Sequence, residues 1–366
     1  MNYLYSLYIE FLAKYNIPQL FGDITFYIIP ITIIFVALLV VVLLLVLFER
    51  KLLGWFTQRK GPNRVGLWGL LQTVADAFKL LCKENITPVS VDKILFNLAP
   101  ILMFTPTLAV LGIIPFSSEF TFANFGVNAL LYIVLAGFPI LSILIGGWAS
   151  NNKYSLFGAM RNVSQVLAYE LPIAFSLLGI VALASSMNLS DITLSQSSQY
   201  GLFGWYCFPC IIGFIVMFIS ILAELNRCPF DLPEAESELI CGYNTEYSGM
   251  RFALFYLGEY SLLFANALFL SVLFLGGYLS PFGQYISTLI LPDNIGQILI
   301  YFEQAFWLIL KAFLIIFLII WIRAVFPRMA SFDLLKFSWS CLLPLSIINL
   351  FLMVILKFFT GGGYVS

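Results

Sequence analysis

Histidine is missing altogether from this 366-residue chain, and charged residues make up only 10% of it. The first absence removes the commonest general base and the commonest metal ligand, so any proton chemistry must run on Glu, Asp, Lys, Arg, Tyr and water. The second leaves too little charge to solvate a globular surface, because 61% of the residues are hydrophobic and the mean hydropathy is +0.98. A bilayer is the solvent that fits. No G-x-G-x-x-G fingerprint follows a strand-like run, no P-loop occurs, and Gly361-Gly362-Gly363 stand after the last apolar run, so no nucleotide or flavin site is expected on this chain. No basic domain for nucleic acid is present. The six cysteines (Cys82, Cys207, Cys210, Cys228, Cys241 and Cys341) lie mostly in apolar context and read as reduced hydrophobic side chains. Cys207-Phe-Pro-Cys210 has metal-like spacing but lacks a second pair and any histidine, so no metal is expected. No cleavable signal is expected. The run from Phe26 to Phe48 is too long for one and ends in Glu49-Arg50-Lys51, which makes it a retained first span.

What is present in quantity is long apolar sequence. Runs able to cross about 30 Å of hydrocarbon lie near 26–48, 94–115, 129–149, 162–185, 206–226, 252–275, 304–324 and 340–359. The fold class is therefore all-α integral membrane protein, with about eight transmembrane helices forming one polytopic domain over 1–366. The stretch Leu70–Glu84 has helical periodicity, with Leu71, Val74, Ala75, Phe78 and Leu81 on one side, which predicts an interfacial amphipathic helix after the first span. Asp76 and Lys79 are one turn apart on it and could pair.

Alternate connections between the spans differ in basic residues, as the positive-inside rule requires. Fifteen of the eighteen Lys and Arg lie in or beside 49–93, 150–161, 227–251 and 325–339. Only Lys14 and Lys357, near the two termini, lie on the other side, and Lys311 falls inside the seventh span. Both termini are thus expected outside.

The polar signals crowd the inner connections. Ala223–Tyr260 holds Glu224, Asp231, Glu234, Glu236, Glu238, Glu246 and Glu259 with Arg227 and Arg251. Pro233 can begin a helix on which Glu234 and Glu238 share a face and Glu236 points away. A solvated acidic loop does not explain acids that continue into spans: Glu170 in the fourth, Glu224 ending the fifth, Glu259 two turns into the sixth. A carboxylate within the membrane pairs, protonates or sits in a hydrated cavity, which is the physical form of a proton path. Lys311 either supplies a counter-charge or simply faces the bundle. Arg161, Gln165 and Tyr169 form a polar stripe at one helical entrance, and Arg323 and Arg328 lie near the inner surface.

At these residues the sequence resembles the membrane subunit of respiratory complex I that adjoins the peripheral arm, known as subunit 1 in mitochondria and present also in bacteria. The resemblance rests on ERK with QRKGPNRVG in the first loop, QTVADAFKLL, the RNxxQxxxYE segment and ELNRCPFDLPEAESELICGYNTEYSGM, and it covers essentially the whole chain. It implies a subunit of a multisubunit, proton-translocating NADH:quinone oxidoreductase that forms part of a quinone tunnel with hydrophilic neighbours. Quinone, ubiquinone or menaquinone, would be the substrate, with FMN and iron–sulfur clusters on partner subunits and antiporter-like membrane subunits alongside. Carried over by residue, Arg50, Asp76, Arg161, Arg227, Asp231, Arg323 and Arg328 match quinone-tunnel positions. Glu170, Glu224, Glu234, Glu236, Glu238, Glu246 and Glu259 match the acidic proton path. The chain departs from the family after the seventh span, where Ala330 stands at a usual Arg position and Asp333 sits one place late.

Two other readings compete: a secondary proton- or cation-coupled transporter, and the equivalent subunit of a hydrogenase-linked or plastid complex. The transporter predicts paired internal repeats with interrupted spans, and no clear repeat is present. The length and GGWASNNKYS favour a bacterial plasma membrane, with the mitochondrial inner membrane as the alternative.

Overall fold

The computed structural model describes residues 19–197, 201–233, 236–283 and 293–359. Among them the chain is helical throughout, with these elements: α1 (Gln19–Phe56), α2 (Leu71–Cys82), α3 (Lys93–Ile113), α4 (Asn128–Ala149), α5 (Lys153–Ala184), α6 (Leu189–Ser195), α7 (Ile211–Glu224), α8 (Glu236–Leu239), α9 (Gly249–Phe274), α10 (Asp293–Val325), α11 (Ser331–Phe337) and α12 (Leu343–Phe359). A π-helical turn over Ser338–Leu342 joins the last two into one continuous rod. Seven of these rods are long and apolar enough to cross a membrane.

The fifth apolar run differs from its sequence expectation. It is helical only over Ile211–Glu224, 14 residues, or about 21 Å at 1.5 Å per residue, which is short of the hydrocarbon thickness. Residues 206–210 form a turn instead, held where Cys207 N–H donates to the Phe274 carbonyl at the end of α9 (2.9 Å). The second inner loop, in contrast, is mostly helix: α5 begins at Lys153, capped by the Asn152 side chain accepting from Tyr154 N–H at 3.0 Å.

Helix α9 is the centre. Its apolar window is 83% buried, against 22% for α1 and for the α11–α12 rod, which run along the outside. It packs on α1, α2, α3, α6, α7 and α10. Close approach of the rods depends on small residues, as expected where lipid removes the hydrophobic drive for helix association. A Cβ on Gly147 in α4 would lie 2.4 Å from the Ala159 Cβ of α5, and one on Gly258 in α9 would lie 2.5 Å from Met103 Cγ of α3.

Four prolines stand inside α3, α4 and α5, and each removes the bond its N–H would have made to the carbonyl four residues earlier. Two of the freed carbonyls are taken up by side chains from distant elements. Tyr247 O–H donates to Phe96 O, released by Pro100, at 3.3 Å, and Ser338 O–H donates to Ala168 O, released by Pro172, at 2.6 Å. In hydrocarbon such re-pairing is what makes an internal proline tolerable.

Lys311 is not a counter-charge to the acids. Its ammonium donates to the carbonyls of Leu275, Gly277 and Leu279 at 2.7, 2.8 and 2.7 Å and lies 4.1 Å from the centre of the Trp205 ring. These carbonyls follow the C-terminus of α9, where the helix dipole favours a cation. Gly276 keeps the approach open, since a Cβ there would meet Trp205 Nε1 at 2.6 Å. Lys357 acts alike at the end of α5, donating to Ala182 O at 2.7 Å and to the Ser185 hydroxyl. Two of the three lysines outside the basic loops thus close helix ends; Lys14 lies outside the described residues.

A polar cleft leading to buried acids

The inner end of α1 carries Glu49, almost fully buried. One carboxylate oxygen is 2.7 Å from Arg227 Nη1 and the other accepts from Arg323 Nη1. The two arginines come from the turn after α7 and from the last turn of α10, so one acid ties together three separate elements. The Arg227 guanidinium also lies 4.9 Å from the centre of the Tyr260 ring of α9. Beside them Arg328 Nη2 donates to Asp231 Oδ2 at 3.0 Å. Burial pushes the Asp231 carboxyl up from its ordinary range, and Arg328, Arg323 and Arg227 oppose that rise.

These groups surround a cleft with room of about 100 Å³, lined by Arg227, Asp231, Arg323, Tyr256, Tyr260 and Glu259, with the chain from Leu225 to Cys228 as its floor. Four of the seven residues expected at a quinone site therefore meet here: Arg227, Asp231, Arg323 and Arg328. The other three do not join them. Arg50 pairs with Asp76 at 2.6 Å on the exposed face of α1 and α2, so Asp76 takes Arg50 rather than Lys79 as partner. Arg161 pairs with Glu238 at 2.5 Å, with Arg161 partly and Glu238 largely exposed. Gln165 and Tyr169 serve structure. The Gln165 amide donates to Ala223 O and Phe230 O, both at 2.8 Å, and Tyr169 O–H donates to Leu334 O at 3.1 Å.

From the cleft the acids lead inward. Glu259 lines both the cleft and a second, smaller cavity of about 20 Å³, which Leu225 and Asn226 also border. Glu224 lines that cavity and a third of about 10 Å³, whose far wall includes Glu170. Each of the first two acids has a protein donor: Tyr243 O–H donates to Glu259, and Asn266 Nδ2 donates to Glu224 Oε2 at 3.3 Å. Asn266 is itself fixed by Tyr132 O–H at 2.6 Å, whose ring stacks on Phe269. Glu170, Glu224 and Glu259 are thus brought into one series, whereas Glu238 is held by Arg161, and Glu246 accepts from Asn152 Nδ2 at 2.6 Å. Glu234 lies outside the described residues, as does the side chain of Glu236.

Glu49 is the residue that sequence reasoning missed, as the mere end of a span. Its signal was an acid embedded between an apolar run and Arg50-Lys51, where a basic collar has no use for one. Among the described residues no three His, Cys, Asp or Glu side chains gather as a metal site, and the cysteines are free. The Cys210 thiol donates to Asn349 Oδ1 at 3.4 Å, tying α7 to α12.

With this geometry in place, the relatives are informative. A family model described as NADH dehydrogenase matches residues 29–354. A protein of Bacillus cytotoxicus, named as a subunit of NADH-quinone oxidoreductase, is 48% identical over 313 residues, which is 85% of this chain and 88% of that one. Proteins of the same name from Bacillus thuringiensis and Bacillus cereus are 47% identical with the same coverage. The cleft, the inward row of acids and the apolar rods that hold them are therefore features of a chain that belongs to the NADH dehydrogenase family.

Proposed function

We propose that this chain is the membrane subunit of a bacterial NADH:quinone oxidoreductase that supplies the polar wall of the quinone site and the first acids of the proton path. The observation that carries the reading is the series of three cavities sharing Glu259 and Glu224 as common walls, which links the Asp231–Arg323 cleft to Glu170. Quinone reduction consumes protons as well as electrons, and titratable groups beside an arginine-lined cleft meet that need. Room of about 100 Å³ is well below an ordinary ligand pocket of roughly 300–1,000 Å³. The quinone ring would therefore need further walls from a hydrophilic neighbour. Arg50, Asp76 and Arg161 would face that neighbour and the tunnel mouth rather than the ring.

Coupling would follow from charge. A reduced quinone beside Asp231 and Arg323 changes the electrostatic balance around Glu259, which lines both the cleft and the next cavity. Glu238, Glu246, Glu234 and Glu236 would tune the field of the inner loop. Electrons would arrive from FMN and iron–sulfur clusters on partner subunits, and antiporter-like subunits would continue the path. With the 206–210 turn and α7 together counted as an eighth crossing, from the end of α9 to the Glu49 junction, the chain would sit in the plasma membrane with both termini outside, in keeping with the basic inner loops and with relatives from bacilli. The relatives' shared name favours this reading over a hydrogenase-linked or plastid complex and over a free-standing transporter.

The test is the assembled complex carrying Glu224→Gln, Glu259→Gln or Asp231→Asn, with quinone reductase and proton pumping measured per complex. Glu224→Gln and Glu259→Gln are expected to lose pumping, and Asp231→Asn to slow quinone reduction. Normal turnover and normal pumping in all three would overturn the proposal.

A further inference from the structure

Asn162 lies on the face of α5 that closes the second cavity, and it has no exposed surface. Neither its Nδ2 nor its Oδ1 meets a hydrogen-bond partner among the described residues. Buried amides are almost always paired, with protein or with a held water. Its neighbour one turn on is half satisfied: Gln165 spends its Nε2 on the carbonyls of Ala223 and Phe230, and its Oε1 alone lacks a partner among the described residues. Asn162 has no such carbonyl, yet it borders the cavity between Glu259 and Glu224.

The cavity has the right size and chemistry for one small polar guest. Its room of about 20 Å³ matches a single water, which needs roughly 10–15 Å³ and two to four polar partners. The polar side chains on its wall are Asn162, Asn226, Glu224 and Glu259, and the rest are aliphatic, proline or methionine. The two acids are already oriented from behind, by Asn266 and by Tyr243. An aliphatic side chain at 162 would take one polar wall from the space; an amide brings one donor group and one acceptor to it.

We propose that Asn162 holds a single water bridging Glu259 and Glu224, which makes it the positioning residue of this step. The inference rests on the proton-path reading above. The water takes a proton from one carboxyl as it gives one to the other carboxylate, so charge moves inward while the water is regenerated.

The experiment uses the assembled complex with the isosteric pair Asn162→Thr and Asn162→Val. Thr keeps a hydroxyl that can hold the water, and Val removes it without changing the shape. The readouts are protons pumped per NADH oxidised and a high-resolution map of the cavity. Asn162→Val is expected to lower the pumping ratio about tenfold or more and to lack density for the water. Asn162→Thr should keep both. Equal pumping by the two variants, whether both normal or both impaired, would overturn the inference. Should Val block assembly, Asn162→Ser against Asn162→Ala poses the same question with smaller side chains. If Glu224→Gln and Glu259→Gln pump normally, the proton-path reading fails instead. The water site is then decided by the map alone, and a dry cavity in the wild-type complex overturns it.

Discussion

At the scale of single residues, burial separates the charged pairs into two classes with different consequences. Glu49 and Arg227 are 4% and 9% exposed, so removing the acid leaves the buried Arg227 without its counter-charge, a loss of up to roughly 3–5 kcal/mol by analogy with other buried pairs, while Arg323, 41% exposed, stays solvated. Glu49→Gln is therefore expected to lower the thermal midpoint of the purified complex and its quinone reductase together. Arg50 and Asp76 are 47% and 37% exposed, and breaking such a pair costs about 1 kcal/mol or less. Asp76→Asn should leave the midpoint nearly unchanged, and a large drop would show that a partner subunit buries that face. The same contrast explains what the sequence did and did not disclose. Arg227, Asp231 and Arg323 were recognisable by kind, as polar residues beside apolar runs, but Glu49 meets Arg323 across 274 positions of chain. No local spacing carries that information.

At the scale of elements, the apolar runs disclosed the rods because hydropathy is a property of a window and survives any packing. Amphipathic α2 was legible for a similar reason: Leu71, Phe78 and Leu81 fall on one face by periodicity, and that face stays outside the bundle. The shortening of α7 was only partly legible: Pro209 is a helix-boundary signal inside the run, but the bond that holds Tyr206–Cys210 as a turn goes to the end of α9, which no local spacing shows. Nor did the prolines reveal their partners. Ser338 lies 170 positions from the carbonyl it rescues, and a hydrogen bond of this type contributes about 1 kcal/mol. Ser338→Ala is expected to cost that much in the presence of Pro172 and distinctly less in a Pro172→Ala background, where the helix re-forms its own bond; a double-mutant cycle in complex stability measures the difference. Lys311 supports a further prediction at this scale. Lys311→Met strips three carbonyls of their donor, so the yield of assembled complex should fall while turnover per complex stays normal. Normal yield with poor pumping would place the ammonium in the proton path instead.

At the scale of the whole molecule, the charge asymmetry of the loops sharpens once the structure accounts for Lys311 and Lys357. Both are engaged with helix ends, so neither offers a free cation to the outer surface. The expected orientation is correspondingly strong: an epitope tag at the C-terminus should be reached by antibody in intact spheroplasts, and labelling only after permeabilisation would reverse the topology. The central position of α9 also explains why the acids converge, since Glu259 on α9 faces α7, the bearer of Glu224, and α5 supplies Glu170 from the next layer. The Glu49 junction has a consequence for biogenesis. During synthesis α1 leaves the ribosome first, with an acid at its inner end whose two partners do not yet exist. Arg227 follows 178 residues later and Arg323 nearly a hundred after that, when all but the last rod has been delivered. Until then Glu49 belongs at the water boundary rather than inside the protein, which holds the first span loose. Completion of the ion triad is thus a late event that locks the earliest helix to the latest ones, and a chain truncated before Arg323 would leave Glu49 with Arg227 alone and its opening span without the contact to α10.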